Sequence, residues 1–167
     1  MLGELLSKEE CAECRLCCSF ESYDLLNTPT VTPNTAERII DEHLPEQRFI
    51  GNGGSFLMKM EPQPDTDIHY CPLLDHRQGC VMKDHKPFEC RIWPLRVMQQ
   101  GENLVIALSP LCPVINGKSA ELVRQKCEEL AGAIFEEAEA CPELVKPYIA
   151  GYTVLCERSE TRDRKEK

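Results

Sequence analysis

Apolar residues recur at spacings of three and four near the end of the chain. Val123, Cys127, Leu130, Ile134, Ala138 and Cys141 line up as one helical stripe. The spacing predicts the longest regular element over about residues 119–140. Upstream, residues 95–99 and 104–108 flank Gln-Gly-Glu-Asn, the pattern of a β-hairpin. Phe56, Met58 and Met60 alternate as in a strand after the turn signal Gly51-Asn-Gly-Gly54. Asn34, with Glu37 three positions on, offers an N-cap and an acidic third residue. The helix it would open runs through Arg38, Ile39 and Ile40 and stops before Pro45. Residues 19–33 read as loop with one strand, and residues 1–18 as a short helical lead into a run of cysteines. The expected fold class is α+β: a small, irregular, metal-stabilised domain with short helices, a hairpin and a longer C-terminal helix.

Composition explains why metal enters that expectation. Hydrophobic residues make up 42% of the chain but aromatics only 6%, and twelve prolines and nine glycines imply many irregular connections. Such a chain needs a staple beyond apolar burial. The expected organisation is a cysteine-cluster metal-binding domain over residues 1–118, a helical extension packed on it over 119–157, and a frayed tail over 158–167. A net charge of −9 argues against nucleic-acid binding, which neutralises phosphates with Lys and Arg. Residues 160–167 alternate in sign and form no basic stripe. No apolar run approaches the roughly 18 residues of a membrane span, and residues 1–8 are too short and charged for a secretory signal. The expected compartment is the cytoplasm, where dense cysteines mean metal or catalysis more often than disulfides.

The eleven cysteines are an odd number, so a closed disulfide framework would leave one over. Four fall in one run, Cys11-Ala-Glu-Cys14-Arg-Leu-Cys17-Cys18, and two-residue spacers let a turn aim successive sulfurs at one ion. Cys71, Cys80, Cys90 and Cys112 bring the candidate ligands to eight, enough for two four-thiolate sites. If the backbone is extended at Cys17 and Cys18, their side chains diverge and serve different sites. The run looks like the first three ligands of a ferredoxin-type C-x₂-C-x₂-C, whose fourth member precedes a proline. Cys-Pro pairs stand at Cys71-Pro72, Cys112-Pro113 and Cys141-Pro142, which favours iron–sulfur slightly over zinc. Cys127 and Cys141 belong to the helical stripe, where packing explains them, and Cys156 has no motif around it. These three stay outside the ligand set.

The whole pattern is Cys11-x₂-Cys14-x₂-Cys17-Cys18, Cys71-Pro-x-Leu, Gly79-Cys80, Lys86-Pro87-x-x-Cys90-Arg91-x-Trp93-Pro94 and Cys112-Pro113. It resembles the bacterial and archaeal cysteine-cluster family described as zinc- or iron-chelating, whose cluster also occurs in some flagellin lysine N-methylases. The resemblance covers about residues 11–113 and implies that Cys11, Cys14, Cys17, Cys18, Cys71, Cys80, Cys90 and Cys112 are the family's eight cysteines. Where that family carries an aromatic residue and Arg-Pro between the sixth and seventh cysteines, this chain has Met82, Lys83 and Lys86-Pro87. The charge is kept, but the bidentate guanidinium is lost.

Arg15, Lys86 and Arg91 are the cations expected to offset a thiolate cluster's negative charge, with Arg91 foremost. His69 and His76 flank Cys71 as alternative ligands; with eight thiols neither they nor His43 and His85 are required. Enzyme signatures are missing. Cys14-x₃-Cys18 begins a radical-enzyme C-x₃-C-x₂-C, but Glu21 occupies the third place, and no P-loop or dinucleotide fingerprint is present. The expected function is a metal-binding module, structural or delivering electrons or metal to a protein partner. An iron–sulfur enzyme or subunit in protein modification and a thiol redox sensor are the alternatives.

Overall fold

The most regular stripe and the most regular alternation of the sequence pack on each other. The protein is seen here as a computed structural model that describes residues 2, 3, 5–20 and 26–158. Helix α5 (Ala120–Ala140) is capped by Ser119, whose hydroxyl accepts the Leu122 N–H. It lays Val123, Cys127, Ile134 and Ala138 into the core, as its periodicity predicts. Strands β8 (Leu95–Gln100) and β9 (Asn103–Leu108) form the expected hairpin, with Gln100 opposite Asn103. Its two-residue loop begins with Gly101 at φ +61°, the left-handed position that a II′ turn reserves for glycine.

This hairpin is the centre of a four-stranded sheet. Strand β10 (Lys146–Pro147) runs parallel to β8 at one edge, and β11 (Thr153–Glu157) antiparallel to β9 at the other. Residues 119–157 are thus more than a helix packed on a finished domain. They supply both sheet edges and share one core with Leu2, Leu5, Phe88, Ile92 and Ile115. The tail expected to fray lies almost wholly outside the described residues, as does Glu21.

A second, smaller core supports the middle of the chain. Strands β2 (Thr30–Val31), β3 (Phe49–Asn52) and β4 (Ser55–Met58) form a sheet ordered β2-β4-β3, covered by α2 (Pro33–Glu42). The cap of α2 is Thr32, with Thr35 N–H on its hydroxyl, and not Asn34. Pro33 decides this: its fixed φ and missing N–H suit the first helical position, which moves the start ahead of Asn34. The Gly-rich turn is also tighter than its four residues suggest. Gly51 and Asn52 stay in β3, and only Gly53 and Gly54 turn. Val31, Ala36, Ile39, Met58, Leu73 and Met82 fill this core, and Cys71 and Cys80 rest against it. With helices and several small sheets in succession, the fold is α+β.

Candidate metal centre

Four segments carry the eight candidate cysteines, and each is shaped by its own local sequence. Helix α1 (Lys8–Cys14) opens on a capping box: the Ser7 hydroxyl accepts the Glu10 N–H (3.1 Å) and Glu10 Oε2 accepts the Ser7 N–H (2.8 Å). Cys11 and Cys14, three apart on this helix, therefore share a face. Arg15 ends α1 with φ 54°, and its Nε–H donates to the Ala12 carbonyl at 2.8 Å. The chain then tightens into a 3₁₀ turn over Leu16–Cys18. Extended backbone at Cys17 and Cys18 was the condition for their divergence; the turn removes it, and the two sulfurs lie 3.9 Å apart.

The second segment is stitched to the first. The Cys71 N–H donates to the Cys18 carbonyl at 2.9 Å, while β1 (Ser19–Phe20) pairs antiparallel with β5 (His69–Tyr70). Strands β6 (Leu74–Asp75) and β7 (Gly79–Cys80) close a small hairpin with Leu74 opposite Cys80. Asp75 Oδ1 holds its turn by accepting the Arg77 and Gln78 N–H groups, both at 2.8 Å. Gly79, at φ +81°, lies under Ala12 of α1, and a Cβ there would stand 3.3 Å from the Ala12 Cβ. The two small residues let α1 settle against β7, which brings Cys11 towards Cys80.

Cys90 comes from the short helix α3 (Phe88–Ile92), anchored by buried Phe88 and Ile92. Cys112 is the N-cap of α4 (Pro113–Asn116); its side chain makes no capping hydrogen bond, though the Val114 and Ile115 N–H groups act on its titration. With these in place the thiols form one connected group. Cys11 and Cys17 are near enough to shift each other's titration. Cys14 acts on both Cys17 and Cys112. Cys80 acts on Cys71, and Cys90 is within electrostatic reach of Cys71, Cys17 and Cys80. Cys17 is the hub of the arrangement. Among the described residues, no three His, Cys, Asp or Glu side chains are drawn tightly enough to grip an ion as they stand. All eleven cysteines are free thiols.

Several of these thiols hold their protons more firmly than a free cysteine. Burial pushes Cys71 up to about 12, and the same cause raises Cys80, Cys112 and, most strongly, Cys90. Cys11 is raised first by its interaction with Cys17 and then by burial. This has a consequence for the metal-free chain. Above about pH 8.5 an unfolded chain releases these thiol protons while the fold retains them, so stability is full below that pH and falls above it. Cys71 and Cys90 should each contribute a loss of about 1.4 kcal/mol per pH unit. Urea midpoints of the metal-free protein are expected to be level from about pH 7 to 8 and to drop from about pH 8.5 to 10; a level profile throughout would refute the linkage.

The nearby cations do not rank as the sequence suggests. Lys86 is the one that acts on Cys11 and Cys80. Arg15 lines a cavity beside Cys11, Cys14, Cys17 and Cys112, and its guanidinium meets His76 Nδ1 at 3.3 Å. Arg91, expected foremost, is exposed and lies over the Phe88 ring at 5.4 Å. The helical spacing explains this, because the neighbour of Cys90 on a helix points about 100° away from it. His76 stands edge-on to Tyr70, and His85 meets Arg38 at 2.6 Å. The cavity is about 10 Å³, room for one water-sized sphere. Trp93, absent from the sequence-derived site, lines it. The signal was there, as the chain's one tryptophan stands three residues after Cys90.

No helix among the described residues is long and apolar enough to cross a membrane. No protein-family model, curated protein or solved structure matches this chain.

Proposed function

We propose that this protein binds metal, as iron–sulfur or zinc, through Cys11, Cys14, Cys17, Cys18, Cys71, Cys80, Cys90 and Cys112. In this reading it is a member of the cysteine-cluster family that its motifs resemble. Its role is structural, or it delivers electrons or metal to a protein partner in the cytoplasm. The observation that carries the proposal is that thiols from three remote segments come within electrostatic reach of one another around Cys17 and Cys90, with Cys112 joined to them through Cys14 and Cys11.

The donor set fits the chemistry. Four sulfurs placed about 2.3 Å from one ion are about 3.8 Å from one another, close to the 3.9 Å between Cys17 and Cys18. Cys17 and Cys18 share a proton-bearing contact at 3.9 Å; a metal would displace the thiol protons and draw the sulfurs inward. Lys86 and Arg15 supply positive charge against the thiolates, and the Val114 and Ile115 N–H groups are the donors nearest a Cys112 thiolate.

The test is anaerobic purification followed by elemental analysis and visible absorption. Brown protein with iron and acid-labile sulfide selects a cluster, and colourless protein with zinc selects tetrathiolate ions. Cys14→Ser is expected to lower the metal content at least twofold, whereas Cys127→Ser leaves it unchanged. Metal-free protein from both the parent and the variants would overturn the proposal.

A further inference from the structure

Outside the candidate centre, two more thiols meet. Cys127 of α5 is fully buried, Cys156 of β11 is half-buried, and their sulfurs lie 3.1 Å apart. Ordinary strand geometry would not bring them together. Alternate residues of a strand share a face, so Cys156 would point with Val154, which packs with Tyr152 and Ala107 on the sheet face away from α5. The pairing of β11 with β9 instead shifts: Val154 stands opposite Ala107, Cys156 opposite Ile106, and Leu155 is the extra residue of a bulge. As a result, Leu155 and Cys156 both turn into the core under α5. Re-aiming a side chain is what a bulge does. Arg124, one turn before Cys127, donates from its guanidinium to the Leu155 carbonyl at 3.1 Å and holds the bulge against the helix.

We propose that Cys127 and Cys156 are a reversible dithiol–disulfide pair that reacts with low-molecular-weight disulfides and staples the last strand to the long helix. The sulfurs need to close by about 1 Å to reach bonding distance. Half-buried Cys156 is the entry point. Its thiolate attacks one sulfur of the small disulfide, breaking that S–S bond and releasing one small thiolate. The Cys127 sulfur then attacks the mixed disulfide at Cys156 and displaces the second. Two protein thiols are oxidised, one small disulfide is reduced to two thiols, and the two protons pass to the departing thiolates. This site shares no residue with the candidate metal centre and does not depend on it.

The experiment exposes the purified full-length protein to oxidised glutathione under nitrogen, quenches it with acid and N-ethylmaleimide, and maps the peptides by mass spectrometry. The expected result is a Cys127–Cys156 linked peptide, a thermal midpoint raised by about 10 °C, and reversal of both by dithiothreitol. Cys156→Ser, at the less buried position, should abolish the link and the rise. Recovery of Cys127 and Cys156 as separately alkylated residues from oxidised, folded protein would overturn the proposal. So would a mixed disulfide on Cys156 that Cys127 never displaces. Metal content, measured in the same samples, reports on the other centre and is expected to be equal in the parent and Cys156→Ser.

Discussion

If the proposed metal is bound, stripping it with a chelator at neutral pH is expected to lower the thermal midpoint by about 10 °C and to loosen the protein unevenly. A ligand present at about a thousand times its dissociation constant stabilises by about 4 kcal/mol, and for a chain of this length each kcal/mol moves the midpoint by roughly 2–4 °C. The unevenness follows from the elements. Around the thiols, strands β1, β5, β6 and β7 are each two residues long, and Leu16–Cys18 and Lys83–His85 are single 3₁₀ turns. Pieces this short hold few backbone hydrogen bonds and depend on what their side chains bind. The 21-residue α5 and the six-residue strands β8 and β9 have their own ladders and core. Hydrogen exchange after chelation should therefore speed up over residues 8–20 and 69–92 and change little over 95–108 and 120–140. Uniform loss of protection, or none, would count against a stabilising role for the metal.

The second large effect is expected at Lys146, far in sequence from any of the proposed cysteine ligands. Its ammonium is buried, 3.7 Å from Glu89 Oε2, and donates to the Thr30 hydroxyl at 3.1 Å. Glu89 in turn accepts the Thr30 N–H at 2.6 Å, and the Thr30 hydroxyl donates to the Glu143 carbonyl at 3.2 Å. This network clamps β2, α3 and β10 together beside Cys90. Removing one partner of a buried pair leaves the other charge stranded, at a cost of about 3–5 kcal/mol. Lys146→Ala should lower the unfolding free energy from urea titration by that amount and weaken retention of the proposed metal through the displaced α3. The double variant Glu89→Gln with Lys146→Met should recover most of the loss, because no lone charge is then buried. A loss below about 1 kcal/mol would place the pair with ordinary surface salt bridges.

How much of this was legible beforehand depended on whether local sequence decides the feature. The α5 stripe and the β8–β9 hairpin were readable because periodicity and turn chemistry act within a few residues, and the fold class followed from them. The start of α2 was misread as Asn34 because a cap signal was weighed without the proline that precedes it. Neither β10 nor β11 was expected. Two and five residues long, they exist as strands because the edges of β8 and β9 are there to pair with.

By itself, the order of residues determined which chemistry is possible: a dense set of thiols, cations close to them in sequence, a net negative charge, and two strongly periodic elements. Tertiary structure alone decided which of those groups meet. The 3₁₀ turn draws Cys17 and Cys18 together, the contact of Gly79 with Ala12 seats α1 on Cys80, helix phase turns Arg91 away, and the bulge at Leu155 joins Cys156 to Cys127. Each outcome depends on the packing of segments tens of residues apart, and spacing along a chain carries no information about that distance.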